Sequence, residues 1–164
     1  MIAIMIGTTL LAGGVTAQAE GVRTQGLDER ECAAGKSAFL VTARGFSTNV
    51  GAVRVQLYRT DDGTFLDKGA WLVRAERKRD GKGEMKFCIP APGPGRYGIA
   101  VRHDANNNGK SDWNDGGGFS RNPKLSVFNL KPDAANVEIR VDRQPVPVDV
   151  IMQYRSGLTI RPVG

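Results

Sequence analysis

The sequence predicts an all-β chain: one β-sandwich closed by a C-terminal β-hairpin. Three observations carry this. Short stretches alternate apolar and polar residues with a period of two, as in Val53-Arg54-Val55-Gln56-Leu57. Glycine is abundant (21 residues), the 8 prolines are scattered, and long runs of helical period are scarce, which favours many strands joined by turns. Finally, a Pro94-Gly95 turn precedes Tyr97 at the start of a strand. That is the setting of the tyrosine corner of Greek-key sandwiches, in which the hydroxyl bonds back to the main chain.

The chain begins with an uncharged apolar run ending at Ala17-Gln18-Ala19, the small-residue pattern of a secretory signal peptide over residues 1–19. A Lys or Arg near Met1 is missing from that pattern. The run is short and is broken by Gly13 and Gly14, which argues against a membrane anchor. A periplasmic or secreted location follows, with no transmembrane segment after cleavage. Residues 20–35 read as a flexible N-terminal segment, and 36–164 as one domain with a single core. The net charge of +6 suits anionic surface polymers or lipids, and equally plain solubility. Cys32 and Cys88 form an even pair, which in an oxidising compartment suggests one disulfide; a free buried Cys88 is the alternative.

Taken in order, Ser37–Arg44 and Ala52–Arg59 read as strands, the second ended by Asp61-Asp62-Gly63, which supplies the positive φ of a tight reversal. Trp71, Leu72 and Ala75 fit a short amphipathic helix or an irregular edge. Arg77 to Lys82 reads as a solvated, charged turn, and without regularly spaced aromatic residues it makes no nucleic-acid platform. Glu84–Ile89 is a strand, broken by the Pro-Gly run before the strand from Arg96 to His103. Three glycines, Gly116 to Gly118, imply flexibility or close approach of backbone to something else. Leu125–Leu130 and Val137–Val141 read as strands, and Val146–Tyr154 with Leu158–Arg161 as a hairpin turned at Arg155-Ser156-Gly157 within 146–161.

One stretch carries a chemical spacing. Counting Asp104 as first, side-chain oxygens fall at the first, third and fifth places (Asp104, Asn106, Asn108) and carboxylates at the ninth and twelfth (Asp112, Asp115). Gly109 stands sixth, where the loop must bend sharply, and Lys110, seventh, completes the candidate set of residues. A calcium ion needs six to eight oxygens from one segment, and this is the spacing of an EF-hand loop. Asp115 is shorter than the usual bidentate Glu, so a dissociation constant on the order of 10⁻⁴ to 10⁻³ M is expected. The competing reading is a metal-free turn, since Asn, Asp and Gly gather at turn tips. The approach is a strand rather than a helix, so EF-hand sensor behaviour does not carry over.

Gly95-x-Tyr97, His103-Asp104-x-Asn106-x-Asn108-Gly109-x-x-Asp112 and Gly118-Phe119-Ser120 together resemble a bacterial family of exported proteins, domain of unknown function 2141, over roughly residues 37–142. The resemblance implies a small immunoglobulin-like or transthyretin-like β-sandwich, usually behind a signal peptide, with no assigned activity. That family normally carries a longer segment with a Pro and a Glu where this chain has Trp113 to Gly117.

Three functions are consistent with these features. The first is a non-catalytic binding or accessory module whose partner is a cell-surface glycan or a protein. The second is a glycan binder stacking sugars on Trp113 and Phe119, although both rings could equally plug the end of the sandwich. The third is a surface-polymer hydrolase with His103 as base. Against the last, His103 and Asp104 are strand neighbours facing opposite sides, and neither Ser120 nor Cys88 lies in a nucleophile motif.

Overall fold

The computed structural model describes residues 22–24 and 32–163. The expected signal peptide at 1–19 lies outside the described residues. Among those described, eleven strands and one short helix follow one another. They are β1 (Val22–Thr24), β2 (Ala38–Arg44), β3 (Ala52–Arg59), β4 (Val73–Lys78), β5 (Met85–Pro90), β6 (Gly95–Asp104), β7 (Gly116–Phe119), α1 (Ala134–Val137), β8 (Ile139–Val141), β9 (Val146–Ile151), β10 (Gln153–Ser156) and β11 (Thr159–Pro162). The protein is all-β, built as two sheets. The larger runs β1-β4-β3-β6-β7-β10-β11, with β8 also paired to β6; the smaller is β5-β2-β9.

Alternation decides which side chains lie between the sheets. Phe39, Val41 and Ala43 of β2 and Val148 and Val150 of β9 face Val53, Val55 and Leu57 of β3 and Tyr97, Ile99 and Val101 of β6. Every second residue on these strands is buried, as period two requires when one face is covered. The Tyr97 hydroxyl donates to the Gly93 carbonyl at 3.0 Å, so the expected tyrosine corner is present. Cys32 and Cys88 are joined as a disulfide, tying the segment before β2 to β5.

Several elements depart from the sequence reading. Trp71 to Ala75 is no helix: Val73–Lys78 is a strand between β3 and β1, because Val73 and Ala75 point inward at a spacing of two. Within the segment expected to be flexible, Val22–Thr24 pairs in parallel with Val73–Ala75. Arg79, assigned to a solvated turn, is buried; its guanidinium lies over the Phe46 ring and donates to the Thr48 and Gly83 carbonyls. Leu125–Leu130 is a loop with a single two-residue bridge, Ser126 to Asn129. The segment 137–141 is split between α1 and β8.

The largest difference concerns the C-terminal hairpin. The stretch 146–154 is two strands: β9 runs parallel to β2 in the small sheet, and after Met152 the chain continues as β10 beside β7 in the large one. The hairpin is therefore β10 and β11, with Ser156 opposite Thr159.

One edge of β6 is shared. β8 covers Gly95 to Tyr97 and β7 covers Ala100 to His103. This places β7 and the loop before it at one end of β6, where the polar cluster lies.

Candidate functional site

β6 ends in Val101-Arg102-His103-Asp104. Val101 and His103 continue the inward row, while Arg102 points outward toward the loop that follows. His103 has no exposed surface. Its Nε2 donates to the Val50 carbonyl at 2.8 Å and its Nδ1 accepts from the Tyr154 hydroxyl at 2.6 Å. Burial pushes its pKa below the usual 6.5. With both ring nitrogens engaged inside the core, His103 offers no accessible base, and the residue that motivated the hydrolase reading has a visible structural task.

The 104–115 loop winds around its own oxygens. Both Asp104 carboxylate oxygens accept main-chain hydrogens, from Asn108 at 3.1 Å and Gly109 at 2.8 Å. Asn106 and Asn108 accept from the main chain two residues on, which is how short polar side chains close such turns. Their amide nitrogens both donate to one oxygen of Asp112, at 2.8 and 2.7 Å. These bonds, that from Asn106 foremost, hold the Asp112 carboxyl below its usual pKa. Asp104, Asn106, Asn108 and Asp112 are thus within one hydrogen bond of a neighbour in the set.

Asp115 and Lys110 are differently engaged. The Arg102 guanidinium donates to Asp115 at 2.8 and 3.2 Å, donates to the Lys110 carbonyl, and lies 3.6 Å from Asp104. Arg102 therefore reaches three of the six positions that spacing assigned to a metal ion. Sequence reading missed it, although a residue two before Asp104 on the same strand must share its side of the sheet. Among the described residues no three His, Cys, Asp or Glu side chains are grouped as metal ligands usually are.

Beside the loop, on the outer face of the large sheet, lies an open cavity of about 770 Å³. That volume is within the range of small-ligand sites. The cavity lining includes Trp113, Arg155, Arg102, Leu125, Leu130 and Gly117. Trp113 is 66% exposed, with the Arg155 guanidinium against its ring. Phe119 is only 8% exposed and packs edge-on to Phe65 in a small second core with Leu125 and Val137. The two candidate stacking rings therefore separate: Trp113 presents a surface, and Phe119 is a plug.

The chain from Val41 to Asp149 matches a family described as an uncharacterized protein conserved in bacteria, domain of unknown function 2141. The protein belongs to this family. No curated protein and no solved structure matches it. The match spans the tyrosine corner, the polar loop and β7, and it stops inside β9, leaving the β10–β11 hairpin beyond it.

Within this domain of unknown function, Gly118-Phe119-Ser120 has a physical account. A Cβ on Gly118 would stand 2.6 Å from the Val150 side chain, so only glycine lets β7 lie this close to β9. Phe119 faces the other way into the outer core. Ser120 fills the gap between β7 and β8 on the β6 edge: its main-chain N–H donates to the Ile99 carbonyl, and its hydroxyl accepts from Ile99 N–H and donates to the Val137 carbonyl. A buried serine in this position replaces a missing ladder partner.

Proposed function

We propose that this protein is an exported, non-catalytic binding module that takes its ligand in the cavity beside residues 104–115. The observation that carries the reading is an open, largely apolar cavity lined by an exposed Trp113 and by two arginines, Arg102 and Arg155. The signal-like first 19 residues and the Cys32–Cys88 disulfide support a periplasmic or secreted setting. The occupant is a cell-surface glycan or a protein segment. Trp113 favours the glycan, since an exposed ring offers a flat apolar face to a sugar.

Calcium enters the proposal as a weak ordering ion. Asp104, Asn106, Asn108 and Asp112 would hold it once the two asparagine amides turn their oxygens toward it. Arg102 already binds Asp115 and competes with the ion for charge. A dissociation constant on the order of 10⁻⁴ to 10⁻³ M remains the expectation.

The test is tryptophan emission of the full-length chain, titrated first with calcium and then with a panel of neutral and acidic oligosaccharides. Trp71 is largely buried, so a Trp113→Phe variant identifies the responding ring. Saturable quenching lost in that variant supports the glycan reading. No response from any sugar, with calcium and without, would remove it. For the ion, ten times its dissociation constant should stabilise the fold by about 1.4 kcal/mol; an unchanged melting temperature eliminates the metal.

A further inference from the structure

The segment joining β7 to α1 projects an aromatic side chain without a partner while its root is fastened at several points. The Asn122 side chain donates to the Asp149 carbonyl and accepts from Ile151 N–H at 3.0 and 2.7 Å. Gln153 donates to the Pro123 carbonyl at 2.9 Å and accepts from Leu125 N–H at 3.3 Å. Leu125 is buried with Phe119 and Val137. Beyond it, Ser126 and Asn129 exchange main-chain hydrogen bonds at 3.1 and 3.0 Å, closing a tight reversal with Val127 and Phe128 at its apex. Phe128 is 97% exposed and Leu130 55%. The exposure therefore belongs to an ordered tip rather than to a segment lacking contacts.

Charge accompanies the tip. Between residues 120 and 133 stand Arg121, Lys124 and Lys131 against one carboxylate, Asp133, in a chain of net charge +6. Lys124 and Lys131 flank the reversal and are exposed. Val127 and Leu130 line the same cavity as Trp113, so the apolar surface continues from the tip toward that exposed ring, with Lys131 beside it. An exposed phenylalanine at the apex of a reversal flanked by lysines matches the chemistry of an anionic bilayer surface, apolar at the acyl boundary and attractive to cations at the phosphates.

We propose that residues 124–131 are a membrane-docking tip, which inserts Phe128 into an anionic phospholipid surface while Lys124 and Lys131 meet the headgroup phosphates. This goes beyond the cavity reading and does not rest on it. The contact is peripheral and reversible, because one aromatic side chain and two lysines give weak attachment.

The experiment uses the full-length chain with vesicles of phosphatidylglycerol and phosphatidylcholine, or of phosphatidylcholine alone. A Phe128→Trp reporter in a Trp113→Phe background should shift its emission to the blue on phosphatidylglycerol vesicles and be quenched by brominated lipid. Partitioning should fall about tenfold in Phe128→Ser, given the apolar area lost. It should fall at least about tenfold in the Lys124→Glu/Lys131→Glu pair, and 0.5 M salt should release the protein. Unchanged melting of each variant confirms that it folds. A reporter that neither shifts nor is quenched at millimolar lipid overturns the proposal, even if the chain sediments with vesicles through another segment. Equal response to neutral and anionic vesicles, or a Phe128-dependent dimer formed without lipid, overturns it too.

Discussion

Tyr154 and His103 meet 2.6 Å apart inside the sandwich, the tyrosine hydroxyl donating to Nδ1 and fixing the imidazole as its neutral Nε2–H form. Tyr154 belongs to β10 and His103 to β6, so this bond ties the C-terminal hairpin to the strand that carries the polar loop. The arrangement makes the fold sensitive to acid. Burial lowers the folded pKa of His103 below its usual 6.5, so below about pH 6.5 the unfolded chain binds more protons than the folded one. The neutral ring's contribution is present above that value and is lost as the pH falls through it toward the lower folded pKa, at up to about 1.4 kcal/mol per pH unit. Melting temperatures should decline from pH 7.5 to 5.5. In His103→Gln the decline over this window should be shallower, and an identical slope in both proteins would acquit the histidine.

Removing the Tyr97 hydroxyl isolates one hydrogen bond. Tyr97→Phe keeps the ring against Phe39 and loses only the donation to Gly93. Urea unfolding should show a loss of about 1 kcal/mol. No loss would mean that the reversal holds without it.

Gly117 and Gly118 are neighbours with opposite demands. Alanine at 118 drives a Cβ to 2.6 Å from Val150 and 3.0 Å from the Ile151 carbonyl, whereas at 117 nothing lies within 4 Å. Gly118→Ala should cost about 1 to 3 kcal/mol, and Gly117→Ala should stay within about 0.5 kcal/mol. Comparable unfolding midpoints for the two variants would contradict the packing of β7 on β9.

Arg102 supplies the test of the polar loop. Arg102→Met leaves Asp104 and Asp115 without their cation, lowering stability by about 1 kcal/mol in calcium-free buffer. If the loop takes calcium, the variant should bind it more tightly, and the added metal should raise its melting temperature more than it raises that of the parent. A variant equally indifferent to calcium and chelator would show that the oxygens serve only the turn.

Much of this architecture was legible because burial on one face writes itself as alternation. Val53 to Leu57 and Tyr97 to His103 were read correctly for that reason, and the proline-glycine break before Tyr97 located the corner. Other elements were hidden by the same rule. The stretch from Val146 to Tyr154 alternates throughout, but alternation reports which face is buried and not which sheet a strand joins, so the change of sheet at Met152 left no mark. Gly116 to Phe119 carried too few side chains to read as a strand; it pairs with Ala100 to His103 and with Gln153 and Tyr154, and packs on Val150, far along the chain. Arg79 looked like a surface charge because its partners are a carbonyl of its own turn and a carbonyl and an aromatic ring supplied by the connection between β2 and β3. At the polar loop the oxygens were plain in the spacing, while the arginine that occupies three of those positions was not.

The passage of the chain from β9 into β10 has a consequence for folding. β9 is the parallel neighbour of β2, and β10 pairs with β7, so each sheet takes a strand from residues 146–156, far along the chain from the strands they join. A nascent chain stopped before Val146 lacks a strand from each layer and cannot close its interior. Two-layer closure is therefore a long-range event, set by contacts between the first strands of the sandwich and residues more than a hundred positions later.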